Sequence, residues 1–273
     1  MIKKEYFGTL LASPYCNIVE NVKLASGHEM PMLGLGTWQL KGRKCQRIVK
    51  KAIELGYTHI DTAWMYQNQR AIGKALRDIH IEREELFITT KIWNTHLRHA
   101  EVLTQFEECL GDLQMDYVDL LLIHWPNEAV PFAETFAAFQ KLYDAGKVKS
   151  IGISNFSISQ VKQACEVSEL PICTNQVEYH VRNNKESLRD YCEAHRICIT
   201  AHRPLAVGNL AGDTMLREIG NRHGKTAVQV ALRWLIQKRI IAIPKSGSEP
   251  HLRENLDIFT WQLTDAEMQT LER

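Results

Sequence analysis

Asp61, Tyr66, Lys91 and His124 are the residues whose types and spacing could do chemistry in this chain. The stretch HIDTAWMYQNQ, residues 59–69, puts an aspartate at the end of a strand-like run and a tyrosine five positions later. A buried carboxylate is costly unless something holds its charge. Lys91, in FITTKIW, and His124, in LLLIHWP, stand at the ends of the next two strand-like runs. Each is ordinary when taken singly: an aspartate that caps a turn, a lysine that snorkels to water, a core histidine beside Trp and Pro. At three consecutive strand ends they face one mouth, and Lys91 is the basic partner that Asp61 needs.

Free tyrosine is a poor acid at neutral pH, with a pKa near ~10. A lysine charge about 4 Å from the phenolate, at an effective dielectric of about 20, is worth roughly 4 kcal/mol, or about three pKa units downward. Desolvation pushes the other way. The expected balance leaves Tyr66 a usable proton donor near neutrality, with Asp61 holding Lys91 and His124 orienting a carbonyl oxygen. The set suits reduction of a carbonyl. No side chain donates hydride, so a cofactor is required.

These residues need elements to carry them. Eight short apolar, β-rich runs alternate with helical patterns: residues 33–37, 58–63, 86–92, 117–125, 148–155, 171–179, 197–205 and 240–246. Between them lie amphipathic stretches such as CQRIVKKAIELG, whose Ile48, Ala52 and Leu55 recur at helical spacing before a closing Gly56. AEVLTQFEECLGDL, PFAETFAAFQKLYDAGKV and AVQVALRWLIQK behave similarly. This alternation predicts an α/β fold, a (β/α)8 TIM barrel, with chemistry at the C-terminal ends of its strands. A hairpin turning at Ser26-Gly27 precedes it. Residues 1–21 read as an N-terminal arm and 22–273 as one barrel domain. The alternative is an open doubly wound sheet, suggested by Gly34-Leu35-Gly36. The third glycine of GxGxxG is missing there, and no clear helix opens.

Composition narrows the function. The 273 residues are 45% hydrophobic and 24% charged, with net charge +1. Nothing favours nucleic acid or an anionic membrane as partner. Seven cysteines without CxxC spacing read as thiols in a reducing compartment. MIKKEYFGTLLASPYCN is a weak imitation of a signal peptide, and DYVDLLLIHW is too short to span a bilayer. The expectation is a soluble cytoplasmic protein. There is no HExxH and no His/Cys pair at ligand spacing, so no metal is expected.

From about Val22 to Glu272 the sequence resembles the aldo-keto reductases. PMLGLGTWQL, HIDTAWMYQN, DYVDLLLIHWP and IPKSGSEPHLREN carry the resemblance, which is strongest to the branch of diketogluconate and methylglyoxal reductases. Asp61, Tyr66, Lys91 and His124 match the family's catalytic tetrad in order and spacing. The resemblance implies NADPH-linked reduction of aldehydes, dicarbonyls or ketones, with Tyr66 as general acid, in a monomer. It implies that Ser154, Asn155 and Gln176 hold the nicotinamide carboxamide. Lys245 and Ser246 would hold the adenosine phosphate, Glu254 and Asn255 the adenine. Gly36 and Thr37 would lie near the nicotinamide ribose or pyrophosphate. A related NADP-binding regulatory protein with little turnover is the alternative.

The sequence departs from the family pattern twice. Where the family has a run like AYSPL, this chain has AHRPL, so His202, Arg203 and Leu205 stand at the cofactor. Imidazole stacks with less area than phenol and titrates near neutrality, and a protonated His202 would disfavour oxidised cofactor. Arg203 either reaches the pyrophosphate or points to solvent. Secondly, His251 replaces a frequent arginine, which would have held a phosphate through a permanent forked charge. Arg253 points about 200° away on a helical turn and is an imperfect substitute. The preference for NADPH over NADH is therefore expected to be weaker than usual, with NADH also used. Trp38, Trp93 and Trp125, with His124, would wall the substrate pocket. With the chain ending at Arg273, a closing C-terminal segment is not expected, and small carbonyl compounds suit the open site.

Overall fold

A short antiparallel hairpin leads into the fold of the computed structural model, which describes residues 19–79 and 81–272. Most of the expected arm, residues 1–18, lies outside the described residues. The hairpin pairs β1 (Asn21–Lys23) with β2 (Glu29–Pro31), and Gly27 turns it at φ 91°. Val22 and Met30 are buried in the core below the barrel sheet.

Eight parallel strands then alternate with helices, in the order β3 (Gly34–Gly36), α1 (Gly42–Leu55), β4 (His59–Asp61), α2 (Gln69–Arg77), β5 (Phe87–Ile92), α3 (His99–Leu113), β6 (Val118–Ile123) and α4 (Phe132–Asp144). They continue with β7 (Val148–Ser154), α5 (Ile158–Val167), β8 (Ile172–Glu178), α6 (Glu186–Ala194), β9 (Cys198–His202), α7 (Thr214–His223), α8 (Ala227–Gln237), β10 (Ile241–Ala242), α9 (Glu249–Leu256) and α10 (Asp265–Leu271). Strand neighbours follow chain order from β3 to β10, and parallel bridges Leu33–Ala242 and Gly36–Lys245 join the first strand to the last. The sheet therefore closes, and the open doubly wound alternative is set aside.

The glycine of GLGTW has a different job from the one in a dinucleotide-binding turn. Gly36 lies at the seam, and a Cβ there would sit 2.5 Å from the Ile243 carbonyl oxygen. The close approach lets its N–H reach the Pro244 carbonyl at 3.1 Å. Other elements follow the pattern that predicts them. In α1, Ile48, Ala52 and Leu55 face inward, and Gly56 ends the helix at φ 106°, donating back to its last turn. Strands β5 and β6 are buried along nearly their whole length because a parallel barrel strand is covered on both faces. The expected runs are trimmed at their ends, most at the seam, where β10 keeps only Ile241 and Ala242.

Candidate active site

Asp61 ends β4, Lys91 is the penultimate residue of β5, and His124 directly follows β6. All three are buried. Tyr66 is carried by a 3-10 turn, Trp64–Tyr66, just beyond β4. Asn68 fixes that turn. Its oxygen accepts from Thr62 Oγ1 at 2.7 Å, and its Nδ2 donates to the carbonyls of Thr37 and Leu40 at 2.9 and 3.0 Å. The sequence motif contains Asn68, but its role is visible only once the loop after β3 lies beside it.

Lys91 has no exposed surface. Its ammonium donates to Asp61 Oδ1 at 2.6 Å and to the Thr62 carbonyl at 2.9 Å. Gln176 Nε2 donates to the other carboxylate oxygen of Asp61 at 2.7 Å. Asp61 thus has the basic partner that its burial demands, together with a neutral donor. Lys91 Nζ also lies 5.1 Å from the ring centroid of Tyr66. Burial depresses the Lys91 pKa, but Asp61 and Tyr66 outweigh it and the net direction is upward. The lysine stays charged.

Tyr66 departs from expectation. The Lys91 charge does pull its pKa down, but burial is the larger effect and the net direction is up. Packing removes the water that would solvate the phenolate, and that loss exceeds what the Lys91 charge returns. The phenol is consequently protonated throughout the neutral range. Its ring meets His124 edge-on, with centroids 5.5 Å apart, and Trp93 meets His124 from another side at 5.1 Å. Burial first, then the charge of Lys91 and the competing protonation of His202, push the His124 pKa down to about 3. The imidazole is neutral, and its buried Nδ1 has no hydrogen-bond partner among the described residues.

The expected cofactor residues line the same cleft. Ser154, Asn155, Gln176, His202, Arg203, Leu205, Lys245, His251, Glu254 and Asn255 surround it with Gly36 and Thr37, and the tetrad's Asp61, Tyr66 and His124 lie at its floor. Ser246 is buried next to Lys245, with its hydroxyl donating to the Ser248 carbonyl at 2.9 Å. Thr37 has its hydroxyl committed to the Asp61 carbonyl at 2.8 Å. Glu254 accepts from Thr226 at 2.6 Å. Trp38, Trp93 and Trp125 wall the mouth; Trp38 is 40% and Trp125 45% exposed.

Both departures in AHRPL take a definite form. His202 Nε2 donates to Asn155 Oδ1 at 2.9 Å, and Asn155 Nδ2 donates to the His124 carbonyl and to Ser154 Oγ, both at 3.0 Å. Burial, reinforced by the charges of Lys91, Arg203 and Lys185, pushes the His202 pKa down to about 3. The expected titration near neutrality is therefore corrected: the ring is uncharged there. Affinity for NAD+ should then vary by less than about twofold between pH 5.5 and 8, measured by fluorescence quenching. NAD+ is the probe because the extra phosphate of NADP+ titrates near ~6. A rise in affinity with pH centred near 6.5 would show instead that His202 titrates.

Arg203, at φ 49°, borders the cleft and is exposed to solvent, but it does not stand free. Its guanidinium carbon lies 5.2 Å from the Trp38 ring centroid, and Nη1 donates to Glu178 Oε2 at 3.3 Å. It spans the cleft from the end of β9 to the loop after β3. Sequence reading missed Glu178 altogether. It lies two residues after Gln176 in β8, so strand alternation was the available signal.

The cleft encloses about 1630 Å³. That exceeds the usual volume of a pocket for one small ligand and fits a dinucleotide with a small substrate. His124, with Tyr66, lines the cleft where a polar substrate group would be met. The model for the Aldo/keto reductase family matches residues 32–273, and the chain belongs to that family. It is 39% identical over 257 residues to the glyoxal reductase of Bacillus subtilis strain 168, covering 94% of this chain and 93% of the relative. It is 36% identical over 251 residues to the methylglyoxal reductase DkgA of Escherichia coli strain K12, covering 90% of each. A crystal structure of an aldo-keto reductase complexed with NADPH superposes with a TM-score of 0.88 at 33% identity, covering 93% of this chain and 87% of that one. The protein is thus an oxidoreductase acting between carbonyl and alcohol, with NADP(H) as its cofactor type. Among the described residues no helix is long and apolar enough to cross a membrane.

Proposed function

We propose that this enzyme reduces small aldehydes and dicarbonyls to alcohols, with Tyr66 as proton donor. The observation that carries the reading is a fully buried Lys91, held by Asp61 at 2.6 Å and placed beside the Tyr66 ring. NADPH, when bound, supplies the hydride. Ser154, Asn155 and Gln176 hold its carboxamide; all three line the cleft beside the tetrad, which supports that role. His202 offers an uncharged face to the nicotinamide. Gly36, Thr37, Arg203 and Leu205 border the ribose and pyrophosphate, and a pyrophosphate would compete with Glu178 for the Arg203 guanidinium. Lys245, Ser246, His251, Glu254 and Asn255 take the adenosine end.

The substrate oxygen rests between Tyr66 and neutral His124, which can donate a hydrogen bond without surrendering its proton. As charge develops on that oxygen, the phenol proton moves to it, and the charged Lys91 stabilises the phenolate left behind. Half-exposed Trp38 and Trp125 make the mouth wide. This supports small or varied substrates, as do the names of the glyoxal and methylglyoxal reductases. Every residue of the site comes from one barrel domain, residues 22–273, which supports a working monomer.

The test is consumption of NADPH by the purified enzyme with glyoxal, methylglyoxal, nitrobenzaldehyde and a steroid ketone. Turnover of the first three is expected, with poor use of the steroid. Selectivity for the steroid would overturn the substrate class. The same assay with NADH reports the effect of His251. Its exposed imidazole lacks the permanent charge of arginine, and Arg253 is drawn to Glu249 Oε1 by bonds of 3.1 and 2.8 Å. NADPH should be preferred, but by less than about a thousandfold in kcat/KM.

A further inference from the structure

The bridges that close the barrel bring α1 against α9, because these helices follow the first and last barrel strands. Lys44, in the first turn of α1, reaches across this seam. Its Nζ and Cε lie 3.3 and 3.4 Å from where a Cβ on Gly247 would stand, so the ammonium covers the open face of that glycine. Gly247 follows Lys245 and Ser246 and precedes Ser248, in the loop that leads into α9.

The side chain of Lys44 forms no ion pair or hydrogen bond among the described residues, and neither does that of Lys245. The nearest acidic residue in sequence, Glu249, is engaged elsewhere. It binds Arg253 Nη2 at 2.8 Å and Lys51 Nζ at 3.8 Å, two turns further along α1. The loop thus carries the unpaired Lys245 at one end of its Lys245-Ser246-Gly247 run and has the unpaired ammonium of Lys44 over the other. Two like charges brought to one place repel, at a cost that an anion between them removes. A phosphomonoester carries about −1.5 to −2 charges at neutral pH and has three acceptor oxygens.

We infer that Lys44 is a specificity-determining residue, which holds the 2′-phosphate of NADP(H) from above Gly247 while Lys245 holds it from the loop. This rests on the reading that Lys245–Asn255 receives the adenosine end of the cofactor. It supplies, from a different helix, a permanent charge that His251 does not. Lys44 is exposed and lies outside the core, so its replacement leaves the fold in place.

The experiment is titration of NADP+ and NAD+ by tryptophan fluorescence quenching, with the wild type and Lys44→Gln, Lys245→Gln and Lys51→Gln. A lost charge-assisted hydrogen bond to phosphate should weaken NADP+ about tenfold in Lys44→Gln and leave NAD+ within about twofold. Lys51→Gln, on the same helix face but paired with Glu249, should leave the NADP+/NAD+ ratio unchanged. If Lys245→Gln weakens NADP+ selectively and Lys44→Gln does not, the inference fails while the cofactor reading stands. If neither variant changes the ratio, the assignment of the loop to the adenosine end fails with it. Equal weakening of both nucleotides by Lys44→Gln would likewise overturn the inference, since a contact with 2′-phosphate cannot affect NAD+.

Discussion

Tyr66→Phe should lower kcat for methylglyoxal reduction by about 10²–10⁴-fold, the range associated with loss of a positioned general acid. The substitution removes one oxygen and keeps the ring, so the edge-on packing against His124 remains. Affinity for NADP+ should be unchanged, because Tyr66 is not among the proposed cofactor contacts, which lie at the ends of β3, β7, β8 and β9 and along the loop before α9 and α9 itself. The upward direction of the Tyr66 pKa adds a directional signature. Reduction needs the phenol, which is present at and below neutral pH, so kcat for reduction should be level there and decline only above the usual tyrosine range near ~10. Alcohol oxidation needs the phenolate and should accelerate steadily as pH rises toward that range. Stopped-flow turnover in both directions, beside nucleotide titrations, measures all three quantities. A Tyr66→Phe enzyme with more than about a tenth of wild-type kcat would remove Tyr66 from the proton-donor role.

The tetrad was legible because each member breaks a strong local rule. Asp61, Lys91 and His124 stand where apolar side chains would pack, and a buried aspartate requires a partner. The barrel was legible for a related reason, since parallel strands covered on both faces leave apolar runs that alternate with amphipathic helices. The short helices α2, α5, α6 and α7 were not singled out. With nine or ten residues apiece they offer too few turns for periodicity to stand out. The remaining gaps concern distance along the chain. Gln176 meets Asp61 across 115 positions. Arg203 reaches Trp38 and Lys44 reaches Gly247 only because the barrel closes. The direction of the Tyr66 pKa has the same origin: it turns on how much water packing excludes, which local sequence does not encode.

Asp61→Asn should be the most destabilising single change in the site. Lys91 is fully buried, and the variant leaves its ammonium facing a neutral amide, with the Thr62 carbonyl and the Tyr66 hydroxyl as its remaining neutral oxygen partners. Removing one partner of a buried ion pair typically costs about 3–5 kcal/mol. For a domain of this size that corresponds to a fall in Tm of roughly 6–20 °C. The pH dependence follows from the direction of the Lys91 pKa. In the wild type it is raised above the ordinary lysine value of 10.5, so the pair's contribution is complete below that pH and is lost only as pH climbs through the raised value. In the variant burial acts without the carboxylate and lowers the pKa. The folded protein then favours neutral Lys91, and the variant gains relative stability as pH rises toward 10. The Tm gap between the two proteins should accordingly be wide at pH 7 and narrower at pH 10. Thermal melts by circular dichroism at both pH values decide the matter. A gap that is absent at pH 7, or that widens at pH 10, would show that Asp61 does not hold Lys91 in its charged form.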